Sequence, residues 1–419
     1  MRDLTPLIAE SLPSLVNLRH DLHQHPEIGF HEHGTAARVA ERLAKLPGMT
    51  IRTCVAGTGV IATLDADKPG PCVALRADMD ALPMTEETGL PYASRVPGCA
   101  HACGHDGNVA CLVGAAVVLS AIREELRGPV RFIFQPAEES GGGGRLLCEA
   151  GALETPPVTA IFALHAWPGL PIGAIGVRAG PAMAATDTID IVIHGSGTHA
   201  AVPHRGVDPI LVAAHVIVAL QSIVSRNLDP AQPAVITIAR VESGTTYNVI
   251  PDRATLCGTL RTLSAGTRAQ ACEAIRRVAE RTAEAYGARA EVRLTPGSPV
   301  LTNDAEATAH IARVGRETLG ADCVREASVS LGGEDFAYYL QHVPGALWQL
   351  GASASDGSAL VPFHSPRFDF PDAALPVGVR MHCETVRQFD GSAHAHSVSI
   401  TSEPLSPRAQ AKQYGQNAD

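Results

Sequence analysis

The chain has no surplus of positive charge: 33 Lys and Arg stand against 43 Asp and Glu, a formal net charge of −10 over 419 residues. A phosphate backbone would be repelled unless basic residues gathered in one patch, and none is visible, so no nucleic-acid partner is expected. Long hydrophobic runs are missing too. The most apolar stretches, Ala110 to Leu119 and Pro209 to Ile223, are interrupted or too short for the roughly 30 Å of hydrocarbon a span must cross, so no membrane partner is expected either. The first residues, with Arg2, Asp3 and Glu10, lack the basic, apolar and small-residue succession of a secretory leader, which makes the cytoplasm the expected compartment. Cysteine is sparse for the length, ten in all, so buried thiols or metal-bound thiolates are expected in place of a disulfide framework. No internal repeat occurs, and no low-complexity run beyond Gly141 to Gly144.

What is present is the composition of a folded protein, 45% hydrophobic and 18% charged, in a chain too long for one ordinary core. Two domains are therefore expected. The 39 Gly and 30 Pro imply many tight loops, where functional groups usually sit.

The first part of the chain alternates helical and strand patterns. Leu4 to His23 and Glu32 to Leu46 have apolar residues at helical spacing, and Gly107 to Leu126 reads as a third helix. Gly59 to Leu64, Val73 to Arg76, Val130 to Phe134 and Ala160 to Leu164 read as short strands. Strands alternating with helices predict an α/β sheet with mostly parallel neighbours, whose ligands collect beyond the carboxyl ends of the strands. From Asp187 the rhythm changes. Thr188 to His194, Pro209 to Ser225, Ala234 to Val241, Ala254 to Thr262, Arg268 to Tyr286 and Ala288 to Leu294 follow the order βαββαβ of a ferredoxin-like α+β unit. The first pattern resumes with a helix at Ala305 to Leu319, a strand at Ala346 to Leu350 and a closing helix at Pro376 to Phe389. The expected organisation is a discontinuous catalytic domain, 1–183 and 297–391, an inserted unit at 184–296, and a flexible tail at 392–419.

Four places carry candidate chemistry. In His101-Ala102-Cys103-Gly104-His105-Asp106 a thiol and an imidazole two positions apart flank a glycine that lets the backbone bend, so both can face one borderline divalent ion. A buried thiol beside surface histidines would look the same. In Phe134-Gln135-Pro136-Ala137-Glu138-Glu139 two carboxylates follow an apolar strand, where the chain turns and one can bind a cation while the other meets water. A solvated acidic loop is the plainer reading of such a pair. His165 ends the apolar run Ile161 to Leu164, and His364 sits in Pro362-Phe363-His364-Ser365-Pro366. Either alone is more often structural, but one Cys, three His and one or two Glu together suit a pair of Zn, Mn or Co ions.

These motifs, in this order, together with His20-Asp21-Leu22-His23-Gln24-His25-Pro26-Glu27 and Leu75-Arg76-Ala77-Asp78-Met79-Asp80-Ala81-Leu82-Pro83, resemble the amidohydrolase branch of the aminoacylase and carboxypeptidase-G-like metallopeptidases. That group holds hippurate hydrolases, N-acyl-amino-acid amidohydrolases and plant auxin-conjugate hydrolases. The resemblance runs from about His20 to Phe389. It implies that Cys103, His105, Glu139, His165 and His364 bind two divalent metals and that Glu138 is the general base. Gly195 to His204 is similar to the family's lid segment, which implies that His199 polarises the scissile carbonyl, with a homodimer or higher homo-oligomer formed through the inserted unit. Asn248 and Arg261 resemble elements that hold a substrate carboxylate, a task to which a guanidinium is suited by its bidentate fork. Asp78 and Asp80 resemble acidic supports of the metal ligands, and Asp106 is expected to orient His105. The chain departs from many relatives in having Asn108 in place of His and Thr198 in place of Gly. The expected reaction is hydrolysis of an N-acyl amino acid, hippurate-like. The alternatives are a dipeptidase or carboxypeptidase on the same metals, a metal-binding relative without catalysis, and a hydrolase using Cys103 and His105 as nucleophile and base.

Overall fold

The computed structural model describes residues 2–353 and 360–391. The expected tail at 392–419 lies outside the described residues. A mixed sheet of eight strands forms the centre, in the spatial order Met49–Val55, Gly59–Leu64, Val130–Gln135, Cys72–Asp78, Val158–Pro171, Gly345–Ser353, Ile175–Val177 and Val324–Glu326. Its middle is parallel: Cys72–Asp78 lies between Val130–Gln135 and Val158–Pro171, and the last of these pairs in parallel with Gly345–Ser353. Three of these strands, Gly59–Leu64, Cys72–Asp78 and Val130–Gln135, are buried along their whole length, which is why they read as unbroken apolar runs. The helix His105–Ala121 is apolar on every side because it too is enclosed, packed on the sheet and under Thr5–Gln24 and Leu375–Gln388.

Parallel register brings the chemistry to one end of the sheet. Asp78 is level with Gln135, and Arg76 is paired with Ala163, so Asp78 and His165 follow two residues further along neighbouring strands. The loops beyond carry Asp80 and Glu138.

The second sheet has four antiparallel strands in the order Ala234–Ser243, Arg253–Thr262, Ala185–His194 and Arg289–Pro296. Two helices, Pro209–Ser222 and Ala265–Ala285, cover one face and complete the ferredoxin-like βαββαβ order. Their starts are fixed by Asp208, which accepts from the Ile210 amide at 2.9 Å, and by Ser264, which accepts from the Thr267 amide at 3.1 Å. Alternate residues of Arg253–Thr262 point into a separate core with Ile189, Ile191, Val216 and Ile275, the period-2 signature of a half-covered sheet. The molecule is thus an α/β protein with a mostly parallel sheet and an inserted α+β unit.

One expectation is corrected. Pro209–Ser222 continues through a π turn, Ile223–Asn227, and these 19 residues are long and apolar enough by length and composition to cross a membrane. In the fold Val212, Val216, Leu220 and Ile223 of this segment pack into the small sheet's core.

Candidate metal centre

Gly104 has φ +86, a left-handed conformation that a side chain would resist and that would also press a Cβ against Ala166 and Phe368. This bend starts the helix at His105 and turns Cys103 and His105 toward the same space. His105 donates from Nδ1 to the Asp80 carbonyl at 2.8 Å, and His165 from Nδ1 to the Ala166 carbonyl at 2.8 Å. Each bond fixes the tautomer and leaves the Nε2 lone pair free to bind a cation. Nε2 of His105 is buried without a hydrogen-bond partner among the described residues, and Nε2 of His165 lies 3.7 Å from the Cys103 sulfur.

Across the cleft the chain leaves Val130–Gln135 through Ala137, a non-glycine residue at φ 50, ψ 49, and enters the short helix Glu138–Gly141. The turn breaks the strand's alternation, so Glu138 and Glu139 face the same space. Both carboxylate oxygens of Asp80 hold it, each accepting at 3.0 Å, one from the Glu138 amide and one from the Glu139 amide. His364, itself left-handed at φ 59, donates from Nε2 to Glu139 at 3.0 Å.

The ligand atoms of Cys103, His105 and His165 lie within 4.8 Å of one another, as do those of Cys103, Glu139 and His364, and those of His105, Glu138 and Glu139. Two ligand sets that share one sulfur have the donor chemistry of a pair of borderline divalent ions. Two further acidic groups, Asp78 with His165 and Glu334, and Glu138 with Glu334 and Asp335, are as compact. They already contain a cation, the fully buried guanidinium of Arg76, which reaches Asp78 at 2.7 Å, Glu334 and Asp335 at 3.0 Å, and the Gln135 side chain at 2.8 Å. The orphaned Nε2 of His105 and the shared thiol make the Cys103 sets the better fit for metal.

Electrostatics divides the two glutamates. Burial, then Glu334, Glu139 and Asp335, push the Glu138 carboxyl well above the usual range. Burial would raise Glu139 as well, but the hydrogen bond from His364, the nearby His105 and the Cys103 contact together outweigh it and hold Glu139 below its ordinary value. One carboxyl is thereby pushed toward holding a proton and its neighbour toward staying charged. Burial also pushes the Cys103 thiol well above its ordinary value, so a thiolate there requires added positive charge.

Asp78 accepts from the Asn108 amide at 2.9 Å and lies 3.7 Å from Nε2 of His105, while Asn108 also accepts from the Ala166 amide at 3.3 Å. Asn108 therefore bridges the segments that carry Asp78 and His165. Asp106 does not touch the His105 ring. It faces the other way, accepting from His23 at 2.9 Å and Arg19 at 3.2 Å, because the two residues leave the helix start in different directions. In the inserted unit, Thr198–His199 pairs with Val249–Ile250 in a two-stranded ladder, and Asn248 lies just before it, its carbonyl accepting from the Ala200 amide at 3.0 Å; His199 and Asn248 are both exposed, and neither belongs to a compact ligand group among the described residues. Arg261 is at the far end of Arg253–Thr262, where a Cβ on Gly333 would lie 3.3 Å from its guanidinium. It thus abuts the Gly333-Glu334-Asp335 segment beside Glu138. The sequence offers one signal for Arg76, a charge within an apolar strand, and none for Glu334 and Asp335, which follow Gly332-Gly333 outside any strand.

Comparison with known proteins agrees in extent and order. The pattern of peptidase family M20/M25/M40 matches residues 74–388. The N-acetylcysteine deacetylase of Bacillus subtilis is 43% identical over 374 residues, covering 88% of this chain and 95% of its own. Thermostable carboxypeptidase 1 of Saccharolobus solfataricus is 37% identical over 379 residues, covering 90% and 95%. Among solved structures, the Bacillus subtilis YXEP protein, described as a dinuclear metal binding peptidase of the M20 family, aligns with a TM-score of 0.78 at 40% identity over 90% of this chain and 98% of that one. A match that spans both ends of the discontinuous sheet, together with this ligand geometry, establishes that the chain belongs to peptidase family M20/M25/M40.

Proposed function

We propose that this member of a family of metal-dependent hydrolases of linear amides cleaves N-acyl amino acids, hippurate among them, to a carboxylic acid and a free amino acid. Cys103, His105 and His165 hold one divalent ion and Cys103, Glu139 and His364 the other, with Zn, Mn or Co as the candidates. Ions held there would supply the positive charge that brings a water from a pKa near 16 toward about 7 and polarises a carbonyl. Glu138 takes the proton of the attacking water and returns it to the leaving amine. Asp78 and Asp80 steady the ligands. His199, a lid residue, supports the developing negative charge, and Asn248 with Arg261 receives the substrate carboxylate.

The observation that carries this reading is the sharing of Cys103 by two compact ligand sets with a raised carboxyl, Glu138, beside them. A metal-binding relative without catalysis has no use for that carboxyl. The test is metal content measured together with hydrolysis of benzoyl-, acetyl- and indole-acetyl-amino acids, with and without chelator. About two ions per chain and chelator-sensitive release of amino acid are expected. A metal-loaded preparation inert on the whole panel overturns the reading. A dipeptidase or carboxypeptidase is the second reading, favoured by the similarity to the Saccharolobus carboxypeptidase, and a faster rate on dipeptides would select it.

The same reading makes 184–296 a lid and dimerisation domain set into a catalytic domain of 1–183 and 297–391. Its support is the exposed apolar surface of the inserted unit, Leu211, Val218, Val241 and Val249, beside the unpaired edge of Ala234–Ser243. The cytoplasm is the proposed compartment, where a thiolate ligand such as Cys103 stays reduced.

A further inference from the structure

Glu32 is remote in sequence from every candidate ligand and is fully buried at the start of the helix His33–Leu43. One carboxylate oxygen accepts from the amide of Ala137 at 2.8 Å, and the other from the hydroxyl of Thr58, a buried residue in the turn before Gly59–Leu64. A carboxylate so enclosed is costly unless its bonds are needed. The amide it captures is that of the left-handed Ala137. The next two amides, of Glu138 and Glu139, are the pair taken by Asp80. Three successive N–H groups of one turn are therefore held by two buried acids from different parts of the chain.

We propose that Glu32 is a positioning residue: by holding the Ala137 amide it keeps the turn that aims Glu138 and Glu139 into the site, with Thr58 fixing the carboxylate. Asp80 sets the height of the turn, and Glu32 sets its handedness. Without Glu32 the Ala137 amide is buried unpaired, and alanine relaxes toward ordinary φ, swinging both glutamates away. The inference rests on the proposed roles of Glu138 and Glu139.

The experiment compares Glu32→Ala, Glu32→Gln and the double variant Glu32→Ala/Ala137→Gly by Mn²⁺ and Zn²⁺ affinity in chelator competition, by kcat and KM on an N-acyl amino acid, and by thermal unfolding. Loss of a partner that supports metal ligands typically costs about 10- to 100-fold in affinity or rate, and Glu32→Ala is expected to lose that much in both metal affinity and kcat while KM moves by less than about 3-fold. Glu32→Gln keeps an acceptor for Ala137 and is expected within about 3-fold of the wild type. Glycine adopts positive φ freely, so the double variant is expected to regain a large part of the loss. A purely stabilising role would move the melting temperature and leave these ratios alone. A folded Glu32→Ala with wild-type metal affinity and kcat overturns the proposal, as does a double variant no better than the single one. Should Glu32→Ala not fold, Thr58→Val carries the test: about a 5-fold loss in kcat or metal affinity is expected from freeing the carboxylate, and unchanged values overturn it. Metal affinity is read without substrate, so failure of the amide reaction and failure of this inference appear in different measurements.

Discussion

In the eight-stranded sheet the strand Cys72–Asp78 is buried at every residue, Arg76 and Asp78 included, whereas in the four-stranded sheet Arg253–Thr262 buries only alternate residues. The contrast extends to ion pairs. Arg76 meets three carboxylates with no side chain more than 3% exposed, while Arg268, its own side chain 22% exposed, grips the buried Asp187 in a bidentate pair with both bonds at 2.8 Å. Where water is excluded from both faces, a charge must be answered by another charge, and those answers bend pKa values and fix side chains in the manner a reaction requires. Where one face stays wet, the sheet can offer surfaces but little pre-set chemistry. Under the proposed function the large sheet would be the reacting body, and the small one a device for presenting and covering.

The largest effect that tests this division is at Glu138. Glu138→Gln keeps the shape and removes the proton carrier, so metal content is expected to stay at the wild-type level while kcat falls about 10²- to 10⁴-fold. Elemental analysis beside steady-state kinetics reads both. Near wild-type turnover would take the base away from Glu138 and put the division of roles between the two sheets in question.

Stability should divide the same way. Arg76→Leu leaves Asp78, Glu334 and Asp335 facing one another without a counter-charge, and a loss of about 3–5 kcal/mol is expected. Arg268→Leu strands Asp187, itself 2% exposed, but at a pair whose guanidinium is partly open to water, and a smaller loss of about 1–3 kcal/mol is expected. Denaturant unfolding of the two variants supplies the comparison, and equal losses would show that burial does not rank the pairs.

Much of this was open to reading from the sequence, and the physical reason differs by residue. The site motifs were legible because His105, Glu138 and Glu139 lie in segments whose chemistry is local: a glycine bend, or a strand end followed by a turn. The enclosed strands were legible as apolar runs, and the inserted unit by its change of period. Arg76 was hidden because a charge within an apolar run gives no hint of partners more than 250 residues away. Glu32 stands between two histidines at the start of a helix, and its partners Thr58 and Ala137 lie 26 and 105 residues away, beyond any local pattern. Met49–Val55 was missed because it lies at the sheet's edge and is largely exposed, so its residues are not patterned by a core. Gly143–Glu149 was missed because its glycines argue against a helix; Gly143 is needed there, since a Cβ would strike the Pro136 carbonyl. The expected orientation of His105 by Asp106 fails because neighbouring positions at a helix start point apart, and Asp106 turns to Arg19 and His23.

A pH experiment separates the two regions again. Burial alone would lower His23, but Asp106 and Glu86 hold it up to about 10. Its pKa is thus above the ordinary 6.5, so the stabilisation it gives is fully present below about pH 6.5 and is lost as pH rises through about 10. The difference in unfolding free energy between the wild type and His23→Gln is expected to shrink by about 2–4 kcal/mol over that window. In the inserted unit the exposed Asn248, beside the ladder of Thr198–His199 and Val249–Ile250, carries no titratable group, and Asn248→Ala is expected to leave the pH dependence of stability unchanged. A wild-type curve parallel to that of His23→Gln would remove the buried network as its source.

The smallest expected effect concerns the surface of the inserted unit. Val218 is 73% exposed on Pro209–Ser222, in line with the exposed Leu211 on the same helix and near the free edge of Ala234–Ser243. An apolar helix face beside an unpaired strand is costly in water and is relieved when a second copy covers both. Val218→Asp places a charge at that seam and should weaken self-association by about 1–2 kcal/mol, roughly ten-fold or more in the dissociation constant. Its position outside the core should leave the melting temperature of the single chain nearly unchanged. Sedimentation across a concentration series distinguishes the outcomes: a dimeric wild type with a dissociating variant supports the interface, and a wild type that is monomeric and fully active removes the small sheet's part in assembly, leaving its lid role to stand on Arg261 and His199 alone.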